Sequence, residues 1–102
     1  MKLLIITSVR EYENHIPLLF QKAGIHAFSS TNINGFKSSE AENLMTNWFS
    51  SARNQVESNI FFTFTSPDLI DQLLELIKEF NITVDGQNPV HAIVLDIEKF
   101  VN

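Results

Sequence analysis

Ala23-Gly24-Ile25-His26-Ala27-Phe28-Ser29-Ser30-Thr31-Asn32-Ile33-Asn34-Gly35-Phe36 closes one element, carries a second and releases the chain into a polar segment. Gly24 stands where a helix ends, because the residue past a helix commonly takes a left-handed conformation that costs glycine no strain. Residues 25–33 then read as a strand. Ala27, Ser29, Thr31 and Ile33 share one face, and His26, Phe28, Ser30 and Asn32 share the other. This mixed alternation suits a strand that is half exposed or set at a subunit boundary. Gly35, followed by Phe36, reads as a hinge ahead of a long exposed loop.

Upstream, residues 3–9 form a continuous apolar run closing on Thr7-Ser8-Val9, the pattern of a central strand. Residues 10–22 carry Tyr12, Ile16, Leu19, Phe20 and Ala23 at helical spacings, with Gly24 as the stop. Pro17 removes a hydrogen bond and clashes one turn back. An irregular first turn is therefore expected, with regular helix only from about Asn14 or His15.

Downstream, residues 37–56 lose periodicity and turn polar, apart from Leu44-Met45-Thr46-Asn47-Trp48-Phe49. A loop of that length inside a compact domain is uncommon and usually functional or disordered. Residues 60–65, Ile60-Phe61-Phe62-Thr63-Phe64-Thr65, are β-branched and aromatic and read as a third strand. Ser66-Pro67-Asp68 supplies an N-cap, a proline at the first helical position and an acid in the first turn. Leu69, Ile70, Leu73, Leu74, Ile77 and Phe80 mark one helical face. Residues 81–89 read as a second loop and residues 91–97 as the last strand.

The order is β-α-β, long loop, β-α-β. Two such halves make an α+β, ferredoxin-like sandwich: a four-stranded antiparallel sheet with two helices on one face and a long loop between strands 2 and 3. Strands one and three belong side by side in the centre. Many Phe residues remain once one sheet face is filled, and association of sheet faces between subunits would bury them. An oligomer is expected.

At 102 residues the chain makes one domain, residues 1–102, with a 44% hydrophobic composition and nine Phe to build a core. The absence of cysteine excludes a disulfide framework, a thiolate metal site and a cysteine nucleophile. A net charge of −5 with no basic run gives nucleic acid little to bind. No stretch approaches the ~20 apolar residues of a membrane span. Met1-Lys2-Leu3-Leu4-Ile5-Ile6 turns polar too soon for a signal peptide. A cytoplasmic protein without direct membrane insertion is expected.

Gly24-Ile25, then Thr31, Ile33, Gly35 and Phe36, together with Ser66-Pro67-Asp68-Leu69-Ile70-Asp71, resemble the signature of the PII nitrogen-regulatory signalling family. The resemblance covers nearly the whole chain in element order and length. It implies a homotrimer that binds a small effector, ATP or ADP in the family, at clefts between subunits. It also implies signalling through a T-loop, here residues 37–56. By the same resemblance Gly35, Phe36 and Lys37 match the loop base, and Asp85, Gly86 and Gln87 fall where the family cradles phosphates. Departures are plain. Lys37-Ser38-Ser39 replace a glycine, an arginine and a glutamine, residues 83–88 hold one glycine and no lysine, and no arginines follow the final strand up to Asn102. No loop tyrosine is available for modification, since the only Tyr is Tyr12. The usual ATP/ADP site is degraded, the cofactor is left open, and a divergent member that serves a protein partner such as a membrane transporter is implied.

Within the loop, Leu44, Met45, Trp48 and Phe49 are candidate partner contacts, because large apolar side chains in a polar segment need cover. Their spacing equally permits a short helix folded back on the sheet. His26 and His91 are the weak metal candidates, and His15 sits on the first helix; no pair has ligand spacing. Asp85-Gly86 could present amides to a phosphate or be an ordinary turn. No nucleophile, base and acid converge, so the sequence does not read as an enzyme. The alternatives are a trimeric divalent-metal-binding protein resembling the CutA family, which calls for a shorter loop, and a small ferredoxin-like enzyme.

Overall fold

The most apolar run, β1 (Lys2–Val9), lies inside a four-stranded antiparallel sheet ordered β2-β3-β1-β4. The computed structural model describes residues 1–36, 55–84 and 88–102, with backbone alone at 55 and 56. After β1 come a 3-10 turn (Arg10–Tyr12), α1 (Ile16–Lys22), β2 (Ser29–Phe36), β3 (Gln55–Thr65), α2 (Pro67–Thr83) and β4 (His91–Asp96). Strands one and three are central, as the sequence predicts, and β1 ladders with both β3 and β4.

Side chains alternate across this sheet, so its two faces separate cleanly by parity. Leu4 and Ile6 of β1 and Phe61 of β3 point to the face where both helices lie. Ile16, Leu19 and Phe20 of α1 and Ile70, Leu73 and Ile77 of α2 complete that core. Phe20 is fully buried and stacks on Phe28 at 4.4 Å and 10°. Burying such a ring contributes about 2–3 kcal/mol.

Pro17 acts as its position demands. The chain makes the 3-10 turn first, and α1 starts at Ile16, where proline in the first turn costs no hydrogen bond. The helix then stops in a Schellman motif: Ile25 N–H donates to Phe20 C=O (2.9 Å) and Gly24 N–H to Gln21 C=O (3.0 Å). Gly24, with φ 83°, supplies the left-handed residue that this motif needs. Ser66 holds the N-cap position of α2 in extended conformation, yet its side chain makes no capping bond. The first turn rests instead on Pro67, Asp68 and the Ile70 N–H to Ser66 C=O bond (3.2 Å).

Several boundaries move. The second strand is Ser29–Phe36 and not residues 25–33, because the Schellman turn and the pull of Phe28 onto Phe20 keep residues 25–28 out of the ladder. Gly35, read above as a hinge, is buried within the ladder opposite Val56, and the described pairing extends one pair further to Phe36 and Gln55. β3 thus begins at Gln55 rather than residue 60. α2 runs past Phe80 to Thr83, closed by Val84 N–H and Thr83 Oγ1 donating to Phe80 C=O. β4 ends at Asp96, whose carboxylate accepts a 2.5 Å bond from Lys2 Nζ.

The face away from the helices stays open among the described residues. Cross-strand rows place Leu3 between Phe64 and Leu95, and Ile5 between Phe62 and Ile93. Phe62, Phe64 and Leu95 are 37%, 54% and 43% exposed. A patch of aromatic and aliphatic side chains at that exposure marks an interaction surface.

Candidate functional site

Two places on the sheet depart from simple packing, one where β1 ends beside the middle of the β2–β3 ladder and one where that ladder opens at Ser29. At the first, β1 closes with Thr7, Ser8 and Val9 opposite Ile60, Asn59 and Ser58. Thr7, Ser8, Ser58 and Asn59 are all buried. Asn59 Nδ2 donates to Asn32 Oδ1 at 2.6 Å, which ties β3 to β2. Thr7 Oγ1, Ser8 Oγ, Asn59 Oδ1 and Arg10 Nε have no hydrogen-bond partner among the described residues. Buried polar atoms are almost always satisfied, and each orphan costs about 1–3 kcal/mol. Ser8 and Asn59 share the parity of Ile6 and Phe61 on the helix face, and Thr7 that of Leu3 and Ile5 on the open face, so the orphans flank the end of β1 on both sides of the sheet.

The described β2–β3 pairing runs three pairs beyond Ile33 and Ser58, to Phe36 and Gln55. Phe36 is 66% exposed there. Arg10 Nη1 meets Glu57 Oε2 at 3.4 Å, so the returning strand is steered by an exposed ion pair. His91 opens β4 directly opposite Thr7. Its half-burial pushes the imidazole below its ordinary value, which keeps the ring neutral near pH 7. Just before it, the Asn81 side chain binds both backbone groups of Val90: Val90 N–H donates to Oδ1 (2.7 Å) and Nδ2 donates to Val90 C=O (3.0 Å).

At the other end the chain opens a wedge. Because β2 begins only at Ser29, opposite Phe62, β3 runs on without a partner on that side through Thr63, Phe64 and Thr65. Thr63 Oγ1 donates to Ala27 C=O at 2.7 Å and pins the diverging chain. Between them lies a cavity of about 300 Å³ lined by Ala27, Phe28, Ser29, Phe62, Thr63 and Phe64. Apolar walls beside open strand backbone suit a small planar guest, and the volume is at the lower limit for ligand sites.

The residues singled out in the sequence fare unequally. Gly35 and Phe36 form the last described pairs of β2 with β3. Lys37, Leu44, Met45, Trp48 and Phe49, and Asp85, Gly86 and Gln87, lie outside the described residues. His26 is exposed in the link before β2, while His91 starts β4 on the opposite edge, so the sheet does not bring them together. His15 packs against Phe80 (5.6 Å) and Tyr12 (6.2 Å). Among the described residues no three His, Asp or Glu side chains gather as metal ligands. Sequence reasoning passed over the Thr7, Ser8, Asn59 and Arg10 cluster. Its one signal was polar residues where apolar strands should continue.

No protein-family model and no curated protein matches the sequence. Solved structures do match in shape. One is a protein of Thermus thermophilus described as PII-like signalling: TM-score 0.61, 15% identity, 91% of this chain and 82% of that one. Another is CPII, a nitrogen-regulatory PII-like protein of Thiomonas intermedia, solved with ADP, AMP and bicarbonate bound. It aligns at TM-score 0.67 and 17% identity over 99% of this chain and 93% of its own. The protein therefore has the PII-like fold, which at such identities is what the likeness establishes.

Proposed function

We propose that the protein is a PII-like regulator, not an enzyme, that binds a small effector at clefts between subunits and acts on a protein partner through residues 37–56. The observation that carries this reading is the wedge at Ser29 beside an open sheet face that exposes Phe62, Phe64 and Leu95. Ser29 at the wedge and Gly35 at the loop base are six residues apart, about 20 Å at the ~3.3 Å rise of a strand. One small molecule cannot span both on a single chain. A second copy laid against the open sheet face can bring its wedge to the first copy's loop end, and the exposed Phe62, Phe64 and Leu95 favour such an assembly. A homotrimer is the assembly that the sequence's resemblance to the PII family implies.

A nucleotide is the effector class to try first, since CPII was solved with ADP and AMP. The wedge offers an apolar slot for a base, and the orphaned hydroxyl, amide and guanidinium groups where β1 ends offer partners for its polar half. An effector acts on the loop by its differential affinity for two loop states, and those states decide whether Trp48 and Phe49 reach the partner. A cytoplasmic protein docking on a membrane transporter is the setting this reading names. No helix among the described residues is long and apolar enough to cross a membrane.

Calorimetric titration with AMP, ADP, ATP, bicarbonate and divalent metals, run beside sedimentation, tests the reading. Saturable heat from a nucleotide by an assembled protein supports it. An assembled protein silent to every probe leaves an interaction module without an effector and overturns the ligand half of the reading. A monomer at micromolar concentration overturns the intersubunit cleft.

A further inference from the structure

Beyond β4, residues 97–102 form neither helix nor strand, and their apolar side chains face water: Phe100 is 74% exposed and Val101 94%. The root of this segment is fixed, because Lys2 Nζ donates to Asp96 Oδ1 and holds the last residue of β4 against β1. From that root the segment faces Phe64 across a hollow of about 720 Å³, walled by Met1, Phe64, Ile97, Lys99, Phe100 and Val101. Phe64 and Leu95 are themselves open on the sheet face away from the helices. One apolar surface therefore runs from the strands onto the segment.

Area argues for what covers it. At about 200 Å² per phenylalanine, Phe62 and Phe64 leave roughly 180 Å² of ring surface open on the strands, and Phe100 alone adds roughly 150 Å². A stable interface takes about 800 Å² from each partner. The strand face by itself is small for that purpose, and the segment nearly doubles its aromatic part. Close-packed proteins leave few voids larger than a water molecule, so an apolar hollow of this size is room for another chain's side chains. Glu98 and Lys99 cancel in charge, which gives an anionic membrane surface no hold on the segment.

We propose that residues 97–102 are a self-association arm: Phe100 and Val101 of one copy pack on the open sheet face of a second copy, against its Phe64. The inference rests on the assembly in the functional reading above and not on its effector. Burying the exposed part of the Phe100 ring strengthens association by up to about five-hundredfold per contact at ~25 cal/mol per Å².

Sedimentation velocity and NMR on the full chain test the arm. Phe100→Ala should weaken self-association by at least about tenfold and by up to about five-hundredfold, while the Leu4 and Ile6 amides keep their exchange protection. Because the chain has no cysteine, Asn102→Cys takes a single nitroxide label. Labelled copies are mixed with isotope-enriched copies that carry no label. Amide signals of residues 62–65 in the enriched copies should broaden, since the label then reaches them from another chain. An assembled mixture without that broadening overturns the proposal. Broadening that appears only when label and enrichment share one chain makes the segment a strap over its own sheet, and overturns it too. If the wild type is assembled and Phe100→Ala sediments unchanged, the arm fails while the assembly stands. A wild type that is monomeric at micromolar concentration removes assembly and arm together.

Discussion

Phe64→Ala is the sharpest perturbation of the open sheet face. Phe64 is 54% exposed, stands opposite Leu3 in the ladder and meets Phe62 edge-on at 6.4 Å. A phenylalanine presents on the order of 200 Å². Roughly 110 Å² of this ring is thus left for a neighbour, worth about 2.7 kcal/mol per subunit at ~25 cal/mol per Å². Summed over the three copies of a trimer, the loss is about 8 kcal/mol at most, or between five and six powers of ten in the assembly constant at about 1.4 kcal/mol each. Inside one subunit the cost is far smaller, since the edge contact with Phe62 is worth about 0.5–1.5 kcal/mol. The variant should therefore stay folded and come apart. Sedimentation velocity at micromolar concentration, beside a thermal melt followed by circular dichroism, separates the two effects. A variant that sediments like the wild type would refute the reasoning, as would a wild type that is already monomeric.

Phe20→Ala opens a cavity between Phe28 and Phe61 and should cost about 3–5 kcal/mol in urea unfolding. At Gly24→Ala the added Cβ would meet only Leu69 Cδ2, at an ordinary 3.7 Å, so the whole penalty is the left-handed backbone. That predicts a loss of about 1–2 kcal/mol, with Asn tolerated better, read from the same urea curves. For His91 the folded value lies below the unfolded 6.5 because of burial, so the unfolded chain takes the proton first. Its contribution is complete above the unfolded value and is lost as pH falls through the folded one. The urea midpoint should drop as pH falls below the unfolded imidazole's 6.5, and His91→Gln should flatten that part of the profile.

The architecture was legible because its signals are local and redundant. The run from Leu3 to Val9, the stripe from Leu69 to Phe80, and Gly24 each constrain one element, and right-handed crossovers then leave one strand order. Boundaries failed where tertiary packing competes with pattern. The alternation from Ile25 onward looks like strand, but Phe28 gains more by stacking on Phe20 than by extending the ladder. Ser66 has the composition of a cap, and its hydroxyl makes no capping bond. The polar end of the sheet was harder. Thr7 and Ser8 read as the end of an apolar run, while Asn59 precedes a β-branched one, and only the register places Ser8 opposite Asn59. Nor does periodicity reveal the Asn81 bonds, because they join a helix to a residue nine positions on through side-chain geometry alone.

The ladder between β1 and β4 has a consequence for how the protein is made. β1 is synthesised before both of its sheet neighbours, β3 and β4, and the Lys2–Asp96 bond joins residues 94 positions apart. Neither edge of β1 can be satisfied while only the first half of the chain has emerged from a ribosome. A nascent segment with Leu3, Leu4, Ile5 and Ile6 unpaired is a template for pairing with other chains. Closure of long loops must precede any reward, which slows folding. Demand for chaperone protection should therefore persist through translation until β4 has cleared the tunnel, and should end abruptly there.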